Sequence, residues 1–242
     1  MKLNLYVIVP EDYIKELLRQ KRYNEVDRIS RMTVSKFKDQ ILSLSQEELW
    51  SLIDRITGGL GYTSEDRDIT RLIVYGTYIS WADAVKQGSK VLEIGTGLGR
   101  TCYSILSTTL PLLYLTIDSS PEILTIALHR NPYPPFQEAL SSPVVKICLC
   151  DAVSAVRSMN DLFDHIIHDG GPNPNRNPSL FSSSFLEDLV SLLKIGGTLS
   201  VFGSKSKKWQ NKLYYELKSL GLSVTSTPLP YTPVLVFHCI KE

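Results

Sequence analysis

The chain has 242 residues, 43% of them hydrophobic, which is enough for one well-cored α/β domain with a smaller appendage. Its 26 basic and 25 acidic residues give a formal net charge of +1, so nucleic acid or an anionic membrane would need a local basic patch for binding. The first residues carry a short apolar run that meets acidic residues by Glu11, which fits neither a signal peptide nor a spanning helix and predicts a cytoplasmic protein without a membrane partner.

The first eighty residues predict a helical region. Between Asp12 and Gln40 the sequence is rich in charge, with apolar residues at helical spacing. Ser45 followed by Glu48 is typical of a capping box that opens a further helix. Residues 57–68 are rich in turn formers and predict a loop, after which helical spacing returns. The predicted organisation is a helical N-terminal region, residues 1–80, and an α/β domain, residues 81–242.

From Lys90 onward, short apolar runs of β type alternate with helical segments. Helices of about ten residues between the first five runs require parallel neighbours with right-handed crossovers. The last two runs are joined only by residues 227–233, too few for a helical crossover, so this pair must be antiparallel. The sequence thus predicts a Rossmann-like α/β fold with a seven-stranded, mostly parallel sheet and an antiparallel last strand. The predicted strands are Val91–Ile94, Leu112–Ile117, Val144–Cys150, His165–His168, Thr198–Phe202, Leu222–Thr225 and Val234–Ile240.

The clearest motif is VLEIGTGLGR, residues 91–100, in which an apolar strand leads through Glu93 into three glycines and a helix. Gly95, Gly97 and Gly99 have GxGxG spacing, whereas a dinucleotide-binding loop has GxGxxG spacing. Glycine at these positions lets a ligand approach the backbone closely. An acid two residues before the first glycine suits a ligand with a cationic amino-acid end, so the motif favours S-adenosylmethionine over a nicotinamide cofactor.

Two further acids follow predicted strands. Asp118 closes the second strand, in YLTIDSS, where a carboxylate accepts hydrogen bonds from both hydroxyls of a ribose. Asp151 follows the third strand, in CDAVSAV, and has two interpretations that the residues leave open. It either caps the helix that follows and also lies near the amino group of an adenine, or it is a plain helix cap.

Cysteine and histidine spacing does not indicate a metal site. Cys148 and Cys150 are separated by one residue within an apolar run, which predicts two small buried side chains on one strand face. His165, His168 and Asp169 are close in sequence, but this number of potential ligands is low for the commoner metal sites. We therefore predict no metal.

The chain resembles the class I S-adenosylmethionine-dependent methyltransferases over residues 88–203, where VLEIGTGLG, IDSS, CDA, FDHIIHDGG and LLKIGGTLSVF stand in that family's order. The resemblance implies that the glycine loop binds the methionine portion, that the acid after the second strand binds ribose, and that the pair after the third strand lines the adenine pocket. Carried over to this sequence, the implied cofactor residues are Glu93, Gly95, Thr96, Gly97, Gly99, Asp118, Ser119, Asp151 and Ala152, and the implied substrate-facing residues are Asp169, Gly170 and Gly171.

Within this superfamily, residues 168–202 are most similar to spermidine synthases and to the methyltransferase domain of the bacterial enzyme that completes methylaminomethyl wobble uridine in tRNA. The second is closer. That domain has an Asp-Gly pair, then a proline and an Asn-Pro step before an aromatic residue. ALHRNPYPPF and IIHD also resemble archaeal proteins predicted to be methyltransferases. The matching residues here, with one residue extra, are Asp169, Gly170, Pro174, Asn177, Pro178 and Phe181.

A spermidine synthase has a second acid in an Asp-x-x-Asp-Pro arrangement that seats a polyamine, whereas this chain has Pro172 in place of that acid. Fewer carboxylates make a poorer site for a polycation. Asn173 and Asn177 still provide hydrogen-bonding groups that orient an amine. Aminopropyl transfer with decarboxylated S-adenosylmethionine is therefore the second hypothesis, and a non-catalytic module with the same fold is the third.

The leading hypothesis is methyl transfer to a nitrogen nucleophile, either in a small amine or in tRNA. Asp169 is the predicted catalytic residue, which accepts the proton of an amine or holds the amine in place. Its alternative role is to cap the turn that follows. The sequence makes no prediction of oligomeric state.

Two further groups of residues have open roles. Basic residues around Trp209 predict contact with nucleic acid or a solvated helix face, and a second basic cluster lies between Arg19 and Arg31. Tyr62, Arg67 and Tyr75 precede the core domain and are either a lid over the cofactor or packing residues. The lysines of the first group are Lys205, Lys207, Lys208 and Lys212.

Overall fold

The computed structural model describes residues 10–58, 67–171 and 173–242. Seven strands lie within these ranges, and each overlaps one of the strands predicted from the sequence. Their bounds are β1 (Lys90–Ile94), β2 (Leu113–Asp118), β3 (Val145–Leu149), β4 (Phe163–His168), β5 (Leu193–Phe202), β6 (Leu222–Pro228) and β7 (Leu235–Lys241).

The seven strands form one sheet in the order β3-β2-β1-β4-β5-β7-β6. Strands β1 to β5 pair in parallel, and β7 runs antiparallel to both β5 and β6. The predicted Rossmann-like, mostly parallel sheet with its antiparallel last strand is confirmed. The sequence did not predict that β7 inserts between β5 and β6.

Helices flank the sheet and also make up the N-terminal region. The segment between Asp12 and Gln40 is divided into three helices, because Lys21 has φ of +57°, a left-handed conformation that ends the first. None of the helices in the described ranges is long and apolar enough to cross a bilayer. The helices are α1 (Glu11–Arg19), α2 (Tyr23–Ser35), α3 (Lys38–Leu42), α4 (Gln46–Thr57), α5 (Ile69–Ser80), α6 (Arg100–Thr108), α7 (Pro121–His129), α8 (Pro134–Leu140), α9 (Ala152–Ser158), α10 (Ser183–Ser191) and α11 (Lys207–Ser219).

The predicted capping box opens α4. The Ser45 hydroxyl accepts a hydrogen bond from the Glu48 backbone N–H at 3.2 Å, and the Glu48 carboxylate accepts one from the Ser45 N–H at 2.8 Å. These bonds satisfy two of the N–H groups that a helix start leaves without partners. The position of this helix matters because its other end reaches the candidate site.

The hydrophobic core lies on both faces of the sheet. Along β1, Val91 belongs to one buried cluster and Leu92 to the other, as expected when successive side chains of a strand point to opposite faces. The N-terminal region contributes to both clusters, with Ile41 of α3 in the first and Leu17 of α1 in the second.

Helix α2 covers one edge of the sheet. The Asp27 carboxylate accepts a hydrogen bond from the backbone N–H of Ile147 at 2.8 Å, and the Ser30 hydroxyl accepts one from that of Leu149 at 2.9 Å. Both N–H groups belong to the edge strand β3, whose outer side would otherwise be exposed to pairing with another chain.

The predicted boundary at residue 80, between a helical N-terminal region and the α/β domain, stays a prediction.

Gly76 of α5 allows this helix to pack closely against α6, and we predict that Gly76→Ala destabilises the fold. A Cβ at this position would lie 2.5 Å from the Ser104 hydroxyl oxygen and 2.7 Å from the Arg100 carbonyl oxygen. The free energy of unfolding should fall by about 1 to 3 kcal/mol, the usual cost of overpacking. Chemical denaturation measures it, with Thr77→Ala on the exposed side of the same helix as the control. A variant as stable as the wild type would show that the helices separate without cost.

Candidate active site

A cavity of about 700 Å³ opens at the carboxyl edge of the sheet, where β1, β2 and β4 end. This volume is within the range of about 300 to 1,000 Å³ typical of small-molecule sites. The chain passes from β1 to β2 on one side, and β4 lies on the other side, so the cavity is at the switch point where open α/β sheets bind ligands. The predicted site residues that line it are Gly95, Thr96, Gly97, Asp118, Ser119, Ala152, Asp169, Gly170, Gly171, Asn173 and Asn177.

The loops after β1 and β4 touch at two glycines. A Cβ on Gly95 would lie 2.7 Å from the Gly170 Cα, closer than any side chain tolerates. The Asp169 N–H also donates to the Ile94 carbonyl at 3.0 Å, which extends the pairing of the two strands into the loops. The glycine loop (residues 95–99) and the loop after β4 therefore form adjoining walls of one cavity.

Asp118 lies at the end of β2, beside the glycine loop. Its carboxylate accepts hydrogen bonds from the backbone N–H of Gly97 at 3.2 Å and of Ser120 at 2.9 Å. Burial raises the pKa of Asp118, whereas these backbone bonds lower it. The carboxylate is thus held at the cavity wall, at the position where the sequence predicts recognition of a ribose.

Asp169 forms a buried ion pair with Arg100, a residue that the sequence analysis did not select. The Nη2 atom of Arg100 lies 3.0 and 3.4 Å from the two carboxylate oxygens, and the side chains are only 5% and 9% exposed. Burial raises the pKa of Asp169, and the charge of Arg100 lowers it. A signal for Arg100 was present in the sequence, because a cation at the first position of a helix opposes the helix dipole and points to an anionic partner.

Glu93 lies behind the glycine loop and does not line the cavity. Its side chain is fully buried and accepts hydrogen bonds from the hydroxyls of Thr101 and Thr116, the latter at 2.6 Å. Burial raises the pKa of Glu93 to about 8, although both hydroxyls act to lower it. The structure therefore does not place Glu93 where a ligand's amino-acid end was expected, and its contacts give it a structural role between β1, β2 and α6.

Gly99 and Asp151 also lie outside the cavity lining. Gly99 precedes α6 with φ of +93°, and a Cβ there would lie 2.8 Å from the side chain of Leu140, so its role is in packing. Asp151 is exposed and accepts a hydrogen bond from the Ser154 N–H at 2.9 Å. Asp151 therefore caps α9, as both sequence interpretations predict, and its contact with an adenine stays a prediction.

The end of α4 forms a wall of the cavity that sequence reasoning missed. Residues 54–58 line it, and Asp54 accepts a hydrogen bond from Arg67 at 3.2 Å. The Arg67 guanidinium lies 4.0 Å from the ring centre of Trp50.

Of the other two residues predicted as a lid, Tyr75 is buried and Tyr62 lies outside the described residues. Pro172 also lies outside them. The lid stays a prediction.

The loop after β4 is joined to α11 near the mouth of the cavity. The indole N–H of Trp209 donates to the Asn175 side-chain oxygen at 3.0 Å, and Lys212 lies 4.6 Å from the ring centre of Trp209. Arg176 lines the cavity beside Asn173 and Asn177.

The remaining candidate groups are packed into the fold. All four cysteines are free and buried, as predicted for Cys148 and Cys150. The His165 side chain bonds to the Ser80 carbonyl and the Thr198 hydroxyl, whereas His168 bonds to the Leu180 carbonyl. No three His, Cys, Asp or Glu side chains in the described ranges are arranged to hold a metal ion.

Comparison with known proteins shows what this chain is similar to. Residues 133–229 match the model of a family described as S-adenosyl-L-methionine-dependent methyltransferases. The resemblance to the methyltransferases is confirmed. The family's cofactor is the one that the glycine loop predicts for this chain. A solved structure of human methyltransferase-like protein 13 with bound SAH has the same fold, with a TM-score of 0.52 and 13% identity. The match covers 71% of this chain and 79% of that one.

Further similar proteins include a spermidine synthase, a polyamine aminopropyltransferase and an uncharacterized protein. Spermidine synthase in complex with the transition-state analogue AdoDATO has a TM-score of 0.62 at 19% identity, over 70% of this chain and 61% of that one. A polyamine aminopropyltransferase of Thermoplasma volcanium is 24% identical over 84% of this chain and 73% of its own length. An uncharacterized protein of Methanocaldococcus jannaschii is 34% identical over 130 residues, which are 53% of this chain and 43% of that protein. This chain thus spans less than two thirds of some of the proteins that it matches.

Because the buried Glu93 carboxyl holds its proton, we predict that Glu93→Gln flattens the pH dependence of stability. The pKa of about 8 in the folded state exceeds the ordinary value of 4.5. The contribution of Glu93 to the free energy of unfolding is fully present below about pH 4.5. It is lost as the pH rises from there to about 8, by up to about 1.4 kcal/mol per pH unit. Thermal denaturation from pH 5 to 9 measures this, with the exposed Glu187→Gln as the control. Parallel curves for Glu93→Gln and the wild type would contradict a protonated Glu93.

Proposed function

We propose that this protein is an S-adenosylmethionine-dependent methyltransferase that methylates a nitrogen nucleophile. The observation that carries the proposal is one cavity lined together by Gly95, Gly97, Asp118 and Asp169. The tight glycine backbone leaves room for a ligand, and the Asp118 carboxylate lies at the neighbouring strand end, where it suits the hydroxyls of a ribose. These residue types suit the adenosine and methionine portions of the cofactor.

The protein's own contribution to the reaction is alignment and exclusion of water. When bound, the cofactor supplies a methyl group on a sulfonium, which needs little activation. Asp169, on the wall next to the glycine loop, holds the attacking amine and takes up the proton that the nitrogen loses. Burial strengthens Asp169 as a base by raising its pKa, and Arg100 opposes this effect while fixing its position. Such positioning is worth about 7 to 11 kcal/mol in favourable cases.

Aminopropyl transfer remains the second candidate, because spermidine synthases share the fold and an aminopropyltransferase is among the relatives. The charges in the cavity count against it. A polyamine carries several positive charges, whereas the cavity lining combines three arginines, Arg55, Arg100 and Arg176, with three aspartates, Asp54, Asp118 and Asp169, and so has no excess of negative charge. Formation of an aminopropylated product from a diamine and decarboxylated S-adenosylmethionine, without methyl transfer from the intact cofactor, would contradict the main proposal.

Two variants separate cofactor binding from methyl transfer. Asp118→Ala should weaken S-adenosylhomocysteine binding by about 1.5 to 3 kcal/mol, because charge-assisted hydrogen bonds are lost. Asp169→Asn keeps the shape and should leave this affinity little changed, while label transfer from methyl-labelled S-adenosylmethionine into the acceptor falls about a hundredfold. Calorimetry and the labelling assay measure the two effects. Label transfer by Asp169→Asn within threefold of the wild type would remove Asp169 from the chemistry.

We further propose RNA, rather than a small amine, as the acceptor class. Residues 170–186 and 189–215 contain six basic residues and no acidic one, although the whole chain has a net charge of only +1. Lys205, Lys207, Lys208 and Lys212 are exposed and form no ion pair with any residue in the described ranges. By contrast, Arg19, Arg22 and Arg31 of the second basic cluster pair with acids three or four residues away. Phosphate contacts favour unpaired cations.

Exposed aromatic side chains accompany these lysines. Tyr215 is 70% exposed on α11, and Tyr231 is 94% exposed on the loop between β6 and β7. Gln210 ties this loop to α11 through a bond to the Pro233 carbonyl at 2.8 Å. Aromatic rings among basic residues are typical of surfaces that stack unpaired bases. The Trp209 bond to Asn175 connects this surface with the cavity wall.

To test the RNA surface, we compare Lys207→Ala/Lys208→Ala with Lys36→Ala/Lys38→Ala, a matched pair of exposed lysines on the N-terminal side of the chain. The first double variant should bind unmodified tRNA about tenfold more weakly, and the slope of its affinity against salt should fall by about 2. Fluorescence anisotropy at several salt concentrations measures both. Equal tRNA affinity for the two double variants and the wild type would exclude this surface.

A further inference from the structure

Arg100 is a buried cation in the lining of the cavity, where it pairs with Asp169. Arg100 begins α6 directly after the glycine loop, is 4% exposed and lines the cavity. A guanidinium at this position lies against the positive end of the helix dipole and has lost most of its hydration. One carboxylate, that of Asp169, contacts its Nη2 atom.

Among the cations that line the cavity, Arg100 alone is buried, since Arg55 and Arg176 are exposed. It begins α6 directly after the glycine loop and pairs with Asp169, which follows β4. Glu93, the residue expected to recognise an amino-acid end, is behind the loop and cannot compete for a ligand's charged groups. Arg100 and Asp169 therefore form an ion pair within the cavity lining, and Asp118 is the acid at the neighbouring strand end.

The amino-acid end of S-adenosylmethionine carries a carboxylate as well as an ammonium group, and decarboxylated S-adenosylmethionine lacks the carboxylate. The planar guanidinium of arginine matches carboxylate geometry and keeps its charge at every pH of interest. We propose that Arg100 binds the α-carboxylate of S-adenosylmethionine and makes the site selective for the intact cofactor. This inference rests on the methyl transfer proposed above.

A purely structural role for Arg100 makes a different prediction. If Arg100 only fastened the loop after β4 to α6, its replacement would disturb every ligand that uses the cavity. If it binds the α-carboxylate, only ligands that carry this group would lose affinity. The compound 5′-methylthioadenosine contains the adenosine portion without the amino acid, so it distinguishes the two roles.

Calorimetry with the full chain tests the proposal. The wild type should bind S-adenosylmethionine at least tenfold more tightly than its decarboxylated form. Arg100→Gln should lose at least tenfold in affinity for S-adenosylmethionine and less than twofold for 5′-methylthioadenosine and the decarboxylated form, and Arg100→Lys should recover part of the loss. Arg157→Gln is the matched control, because Arg157 pairs with Asp188 on the surface at 2.9 Å. Equal losses for all three compounds would overturn the proposal.

Arg100→Gln leaves the Asp169 carboxylate without its buried counter-ion, which destabilises the chain. The double variant Arg100→Gln/Asp169→Asn removes both charges together, and thermal denaturation establishes that it is folded before its ligand affinities are compared. The same selective loss is expected for this variant. A wild type that binds the intact and decarboxylated cofactors equally but transfers methyl groups would overturn only this inference, whereas a wild type that binds none of the three compounds would overturn the proposed function as well.

Discussion

The backbones of Gly95 and Gly170 approach each other too closely for a side chain to fit between them. This contact exists because β1 and β4 pair in parallel and end at the same edge of the sheet. It places the glycine loop against the loop that carries Asp169, so that a ligand held by one loop lies next to groups presented by the other. Asp118 and Arg100 complete the site from the neighbouring strand and helix. The proposed alignment of cofactor and acceptor depends on this arrangement.

The sequence predicted the sheet well because the periodicity of parallel strands and their crossover helices is a local signal. The order of strand ends along the chain then predicted that Gly97, Asp118 and Asp169 would meet, since parallel strands bring their carboxyl ends to one edge. The GxGxG spacing predicted the class of cofactor, although the supporting argument from Glu93 assumed a wrong position for this side chain. Glu93 was expected to face the ligand, yet the alternation of β1 and the hydroxyls of Thr101 and Thr116 hold it behind the loop.

Other features could not be predicted because they depend on contacts between distant parts of the chain. The ion pair of Arg100 and Asp169 joins residues that are 69 positions apart. The wall formed by the end of α4 and the cover that α2 provides for β3 both come from the N-terminal region, where the sequence shows helices but not what they pack against. These helices share both hydrophobic clusters with the sheet, which gives the N-terminal region a direct part in shaping the cavity.

The proposed function requires S-adenosylmethionine to bind in the cavity between the glycine loop and the loop after β4. A crystal structure of the protein with S-adenosylhomocysteine tests this most directly. We expect ligand density in this cavity, with the ribose beside Asp118 and the amino-acid end between the glycine loop and Arg100. Density at another place on the protein, or a ribose remote from Asp118 in a fully occupied complex, would contradict it.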